Sequence, residues 1–182
     1  GEVSSELRRQ AKVINFGIIY GMGAFSLSRE LGISQKMAQT YIDQYFERYS
    51  GVRAFIDDTI SEARRTKKTT TLLGRTRQLF DIDSRNANQR HFSERIAVNT
   101  PIQGTAADLI KLAMIAVEKA LEDRGMRTAM LLTVHDELVF EVPRDECDEA
   151  RQCIVEVMEG IWRFEVPLTV NSAFGDNWAD AH

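Results

Sequence analysis

Cysteine, proline and long apolar runs are all scarce in this sequence, and each shortage removes a class of protein. Two cysteines, Cys147 and Cys153, cannot build a disulfide framework. They stand six residues apart on a stretch that reads as one helix, where six residues rise ~9 Å. That exceeds the roughly 7 Å between Cα atoms that a disulfide tolerates, so no intrachain bridge is expected and the compartment reads as reducing. With 3 prolines and 11 glycines among 182 residues there is no low-complexity linker. The most apolar stretch, Leu109 to Leu121, is interrupted by Lys111, Glu118 and Lys119, well short of the ~18 apolar residues a membrane span requires. The first residues, Gly1 to Glu6, lack the basic flank and apolar core of a secretory signal, which gives the expectation of a cytoplasmic protein without a membrane partner. What remains, 43% apolar and 27% charged residues, is the composition of a soluble globular chain.

Charge of one sign is unevenly spread. The net charge is −4, yet residues 1–99 hold 16 Lys and Arg against 11 Asp and Glu, a net +5, while residues 100–182 hold 7 against 16, a net −9. A basic half suits a phosphate backbone and an acidic half suits divalent cations, so the polarity points to work on a polyanion.

Local signals give an α+β chain. A helix is expected from Ser4 or Ser5 to about Tyr20, with Ser5 as N-cap and Gly21 and Gly23 to end it. A short helical turn follows at 26–31, then a helix from Ser34 to about Tyr49, a break at Ser50-Gly51, and a helix to about Lys67. Thr69 to Ile82 reads as a hairpin. A helix to Thr100 is interrupted by Pro101 and resumes by Gly104, running to about Arg124 with apolar residues round most of its circumference, as a buried helix would have. The runs 129–134 and 138–142 form a second hairpin with His135-Asp136-Glu137 at its tip. A helix over 145–162 and a final strand over 168–174 complete an antiparallel arrangement.

The first helix has two unlike faces. At ~100° per residue, Leu7, Ala11, Ile14 and Ile18 form one stripe that would dock on a core. The opposite face gathers Arg8, Arg9, Lys12, Phe16 and Tyr20. The plain alternative is that the aromatics pack while the cations are solvated. The functional one is a nucleotide platform, in which cations meet phosphates along the helix and aromatics meet sugar and base.

The segment Arg8-Arg9-Gln10-Ala11-Lys12-Val13-Ile14-Asn15-Phe16-Gly17-Ile18-Ile19-Tyr20-Gly21 resembles the fingers-helix motif of family A DNA polymerases, the bacterial DNA polymerase I group. The resemblance continues through Glu94-Arg95 to Asn99, Pro101, Gln103 to Asp108, Val134 to Val139, and the closing Trp178 to His182. It implies a partial right-hand polymerase fold, with residues 1–84 a fingers subdomain carrying the hairpin and residues 85–182 the C-terminal part of the palm. It further implies that Arg8 and Lys12 hold the triphosphate of an incoming dNTP, Lys12 also serving catalysis, that Phe16 lies against the sugar, and that Tyr20 stacks at the templating position. Phe16 offers no hydroxyl where some relatives carry Tyr, which implies discrimination against dideoxynucleotides.

His-Asp-Glu at a tight turn is by itself a weak signal, and adjacent strand residues point to opposite faces, so one carboxylate is the better metal ligand. The resemblance assigns Asp136 to Mg²⁺, Glu137 to an auxiliary catalytic role and His135 to the neighbourhood of the primer end. Two Mg²⁺ would serve the complete enzyme. Along the next helix His91, Arg95, Asn99 and Gln103 recur at every fourth position. A solvated face is one reading. By resemblance, Arg95, Asn99 and Gln103 meet the minor groove and backbone of the new duplex, where acceptors are alike for every correct pair. Arg64, Arg65, Lys67, Lys68, Arg75 and Arg77 form a further basic cluster, read either as a DNA surface or as solvated helix ends.

The family's second catalytic aspartate, in a motif like Asp-Tyr-Ser-Gln-Ile-Glu-Leu-Arg, has no counterpart in these residues. Phe80 also stands where relatives usually carry Pro. The resemblance therefore implies a C-terminal piece beginning inside the fingers, inactive alone, whose partners are primer-template DNA, dNTPs and the upstream part of the same polymerase. Its place would be the cytoplasm, on the bacterial nucleoid. Two rival classes are a non-catalytic DNA-binding module, which would not need Asp136, and a metal-dependent phosphodiesterase using Asp136, Glu137 and His135, which would not need Lys12 and Tyr20 together.

Overall fold

The computed structural model describes residues 4–181 and is α+β, with two compact units, 1–104 and 105–182. Gly1 to Val3 and His182, on which the readings of the first residues and the closing motif partly fall, lie outside the described residues. The expected subdomain boundary at 84/85 falls inside the first unit.

The first unit opens with α1 (Ser5–Ile19), α2 (Ala24–Leu31), α3 (Gln35–Arg48) and α4 (Ser50–Thr66). Ser4, not Ser5, caps α1. Its extended backbone lets Oγ accept the Leu7 N–H at 3.2 Å, satisfying a donor that the first helical turn leaves unpaired. Ser34 caps α3 in the same way through the Met37 N–H. The break before α4 falls at Tyr49, and Ser50-Gly51 begin the helix instead of interrupting it. A short antiparallel hairpin follows, β1 (Lys68–Thr70) with β2 (Thr76–Gln78), in the register Lys68 to Gln78 and Thr70 to Thr76. Next comes α5 (Ala87–Asn99), which passes into a five-residue π turn, Thr100–Gly104.

Pro101 explains that turn. It has no N–H to give the helical ladder, so the chain widens by one residue instead of continuing in phase, and the Thr100 hydroxyl donates to the Ile96 carbonyl at 2.7 Å. Ala63, Leu79, Ile82 and Ala97 form the core between α4, the hairpin exit and α5. The Thr69 hydroxyl ties β1 to α5 by donating to the Ala97 carbonyl at 3.0 Å.

The docking stripe expected on α1 is mostly not docked. Ile18 is buried and Ile14 half-buried, but Ala11 is exposed and Leu7 is 58% exposed. The buried residues of α1, Gly17 and Ile18, lie at its C-terminal end and α1 packs on α2, so the apolar spacing of the first two turns is not matched by burial among the described residues.

In the second unit, α6 (Thr105–Asp123) and α7 (Cys147–Glu159) pack together, with a hairpin, β3 (Ala129–Val134) and β4 (Glu137–Glu141), between them in sequence. Val117, Leu121 and Cys153 are the buried centre, and Met130, Phe140, Ile154 and Val157 close over it, each full burial being worth ~1.5–3 kcal/mol. Both cysteines are free, as expected. The expectation that α6 is buried all round does not hold: Ala113, Val117 and Leu121 are buried, while Ile115 is 70% exposed. Nor is there a strand over 168–174. Those residues are laid along α7 by side chains instead, Val170 N–H donating to Glu159 and Arg151 donating to Ser172 Oγ, both at 2.8 Å. Each sheet among the described residues is a two-stranded antiparallel pair. No described helix is long and apolar enough to cross a membrane.

Candidate active site

α1 presents its outer face at successive turns. Phe16 and Tyr20 stack with ring centroids 6.4 Å apart and planes inclined by 12°, and Phe16 is 55% exposed. The cations divide. Arg9 is drawn back onto Glu6, donating from Nε at 2.9 Å and from a terminal nitrogen at 2.8 Å. Hydrogen bonds from Arg9 and then from Gln10 hold the Glu6 carboxyl down at about 2. Arg8 and Lys12 are exposed and make no ion pair among the described residues. The free cations and the stacked rings therefore occupy one helix face, which suits a polyphosphate on one side and a sugar and base on the other.

The stripe on α5 divides as well. His91 Nδ1 lies 3.0 Å from Glu94, which also accepts from Arg64 at 2.6 Å. Burial pushes the Glu94 carboxyl up, but the hydrogen bonds from Arg64 and His91 outweigh it and leave the pKa below its ordinary value. Arg95 lies over the Phe92 ring at 5.9 Å, with its stem against the backbone of Gly21. The π turn then carries Asn99 and Gln103 to a cavity of about 390 Å³ that they share with Thr71, Arg75, Arg77 and Gly104. Gly104 is required there, because a Cβ on it would come within 2.7 Å of Thr71 Cγ2. Asn99 Oδ1 is buried and has no hydrogen-bond partner among the described residues, an unusual state for a buried acceptor.

Sequence reading placed Arg75 and Arg77 with Arg64, Arg65, Lys67 and Lys68, and did not connect them to Asn99 and Gln103. The structure splits that cluster. Arg64 pairs with Glu94, Arg65 with Glu62 at 2.5 Å, and Lys67 with Asp83. Thr71 was not singled out at all. Its Oγ1 accepts the Arg75 N–H at 3.1 Å, closing the turn that aims the two arginines. The available signal was the β-branched run followed by Gly74, which marks a tight hairpin whose two ends must face one another.

In the second unit the hairpin tip is a two-residue turn, His135-Asp136, between Val134 and its partner Glu137. His135 sits at φ 55°, a left-handed conformation that costs a non-glycine residue of order 1 kcal/mol. A bulge at Leu131 shifts the register, leaving Met130 opposite Phe140 on the core side. Asp136 is exposed and makes no ion pair or hydrogen bond among the described residues. Glu137 is half-buried as the first residue of β4, its carbonyl accepting from Thr133 Oγ1 at 3.0 Å. No group of three His, Cys, Asp or Glu side chains suited to a metal occurs among the described residues. An open turn carboxylate still fits Mg²⁺, an ion that takes one or two protein carboxylates and completes its shell with phosphate oxygens and water.

The helix with stacked aromatics and exposed cations, the cavity lined by Asn99 and Gln103, and the hairpin with a carboxylate at its tip match parts of a polymerase fold. The chain belongs to DNA polymerase family A, whose family model matches residues 1–180. It is 47% identical to DNA polymerase I of Bacillus subtilis (strain 168) over 180 residues, 99% of this chain and 20% of that protein. It is 45% identical to DNA polymerase I of Pseudomonas aeruginosa over 181 residues, 100% of this chain and 20% of that one. A solved structure described as the POL domain of Pol1 from M. smegmatis in complex with DNA primer-template and dNTP matches with a TM-score of 0.95 at 44% identity, covering 99% of this chain and 32% of that chain. The chain thus spans about a fifth of the length of the curated relatives it matches.

Proposed function

We propose that this chain supplies the nucleotide-binding surface and part of the catalytic centre of a DNA-directed DNA polymerase that transfers nucleotides from dNTPs to a primer 3′-hydroxyl under template direction. In this reading residues 1–84 serve as fingers and residues 85–182 as the C-terminal palm. The observation that carries it is the α1 face, on which Arg8 and Lys12 are exposed and make no ion pair among the described residues, beside the stacked Phe16 and Tyr20. Neither rival reading needs that combination: a phosphodiesterase has no use for a templating stack, and a passive DNA-binding module has none for an open turn carboxylate.

Arg8 and Lys12 bind the triphosphate, and Lys12 neutralises charge that develops on the leaving pyrophosphate. Phe16 supports the sugar by apolar contact and Tyr20 covers the templating position. Arg95, Asn99 and Gln103 test the shape of the terminal base pairs from the minor groove, where sequence is poorly encoded but width and acceptor position are common to all correct pairs. His135 lies beside the primer end. Asp136 would hold Mg²⁺ with Glu137 auxiliary, an ion that would supply Lewis-acid chemistry for the primer hydroxyl and the leaving group when bound. The second metal-binding carboxylate and the rest of the duplex grip come from the upstream part of the same polymerase, and the chain works in the cytoplasm on the nucleoid.

The test replaces the matching segment of the Bacillus subtilis polymerase with this chain. The chimera is expected to extend a primed template, and Asp136→Ala is expected to abolish extension while primer-template binding stays within about twofold. Extension that survives Asp136→Ala would refute the assignment. Shortened DNA products formed without dNTPs would favour the phosphodiesterase.

A further inference from the structure

Gly21 follows Tyr20 directly, with φ +82°, a left-handed conformation that glycine alone adopts at little cost. Its bare Cα faces the stem of Arg95. A Cβ built there would stand 2.9 Å from Arg95 Cγ and 3.3 Å from Cδ, inside the ~3.5–4.0 Å at which carbon atoms rest against one another. On its other side the Arg95 guanidinium lies 5.9 Å from the Phe92 ring centroid. An exposed arginine is otherwise a flexible chain that gives up rotamer freedom each time it binds. Here the guanidinium lies over an aromatic ring of its own helix and the stem rests against Gly21 just past the end of α1, so part of that cost is met before DNA arrives.

We propose that Gly21 is a positioning residue for Arg95: its missing side chain is the notch that seats the arginine stem at the end of α1, next to Tyr20, so that the guanidinium reading the duplex and the tyrosine covering the templating position are held as one piece. The inference rests on the roles of Arg95 and Tyr20 proposed above. A side chain at residue 21 meets the middle of a flexible stem and not a backbone, so the stem yields and the guanidinium leaves its place. The damage falls on DNA binding more than on folding.

Two substitutions in the chimeric polymerase separate this from plain backbone strain. Gly21→Ala adds both a Cβ and left-handed strain, whereas Gly21→Asn adds the Cβ in a residue that tolerates the left-handed region far better. Both are expected to weaken primer-template affinity about tenfold, the order of one charged hydrogen bond. Neither is expected to weaken it further once Arg95→Ala is present, and Gly21→Asn should unfold within a few degrees of the unsubstituted chimera. The proposal fails if Gly21→Asn binds like the unsubstituted protein, or if the losses from Gly21 and Arg95 substitutions simply add. If Arg95→Ala alone leaves affinity unchanged, the groove role of Arg95 and the proposal fall together, while primer extension by the same chimera still reports whether the polymerase reading stands.

Discussion

Two stretches of this chain look alike as sequence and differ as surfaces. Residues 8–12 carry Arg8, Arg9 and Lys12, and residues 64–68 carry Arg64, Arg65, Lys67 and Lys68, a still denser cationic run. In the folded chain the second run is largely neutralised: Arg64 is held by Glu94, Arg65 by Glu62 and Lys67 by Asp83. In the first run Arg9 is taken up by Glu6, and Arg8 and Lys12 make no ion pair among the described residues and stand exposed beside two aromatic rings. Positive charge suited to a phosphate is therefore measured by what is left after in-chain pairing, not by the count of Lys and Arg.

The sharpest way to break this comparison is Lys12→Ala in the chimeric polymerase. A cation that meets charge appearing only in the transition state should cost about 10²–10³ in kcat when removed, read by rapid-quench extension of a single nucleotide. A loss confined to the KM for dNTP would reduce Lys12 to a ground-state contact. Phe16→Tyr should raise dideoxynucleotide incorporation up to about tenfold, because a phenol hydroxyl replaces one hydrogen bond that the missing sugar hydroxyl would have made. Competition between dNTP and its dideoxy analogue measures it, and an unchanged ratio would displace Phe16 from the sugar.

The paired run makes the complementary predictions, and they concern stability. Glu94→Gln removes the carboxylate that Arg64 and His91 share, and should cost about 1 kcal/mol near neutral pH, a value reduced because half of the Arg64 side chain is open to water. The Glu94 pKa is lowered in the folded chain. Its contribution is therefore complete above the ordinary value of 4.5 and is lost as pH falls through the lowered folded value. The stability gap between parent and Glu94→Gln should close over that acid range in denaturant titrations. Arg65→Ala is the smallest effect: an exposed pair within one helix turn should leave both Tm and extension unchanged. A clear loss of extension there would mean that paired cations also serve the DNA surface.

Much of the fold was legible because its signals are local. Ser34 as a helix cap, Gly125 closing α6, and two hairpins flagged by β-branched runs all depend on residues within a few positions of one another, and the α1 cap is displaced by only one residue, from Ser5 to Ser4. What misled was local pattern without a partner. The apolar stripe of α1 predicted a core that receives only Ile18 and part of Ile14, and the β-rich run 168–174 has no strand beside it among the described residues and lies along α7 through Glu159 and Arg151 instead. Hydrophobic spacing states which face could be buried, and burial needs a second surface.

The candidate site shows the same division. Lys12, Phe16 and Tyr20 share a face because helical geometry places every fourth residue together, and Asp136 stands at a turn because two short β runs flank it, so sequence alone determined these groupings and the family they belong to. Sequence could not determine that Arg75 and Arg77 join Asn99 and Gln103 around one cavity, that Glu94 takes Arg64 out of the cationic surface, or that Gly21 makes room for Arg95. Those facts depend on contacts between segments far apart in the chain, brought together by packing of the hairpin and helices. Pairing energy depends on distance in space, which helical and strand periodicity do not encode.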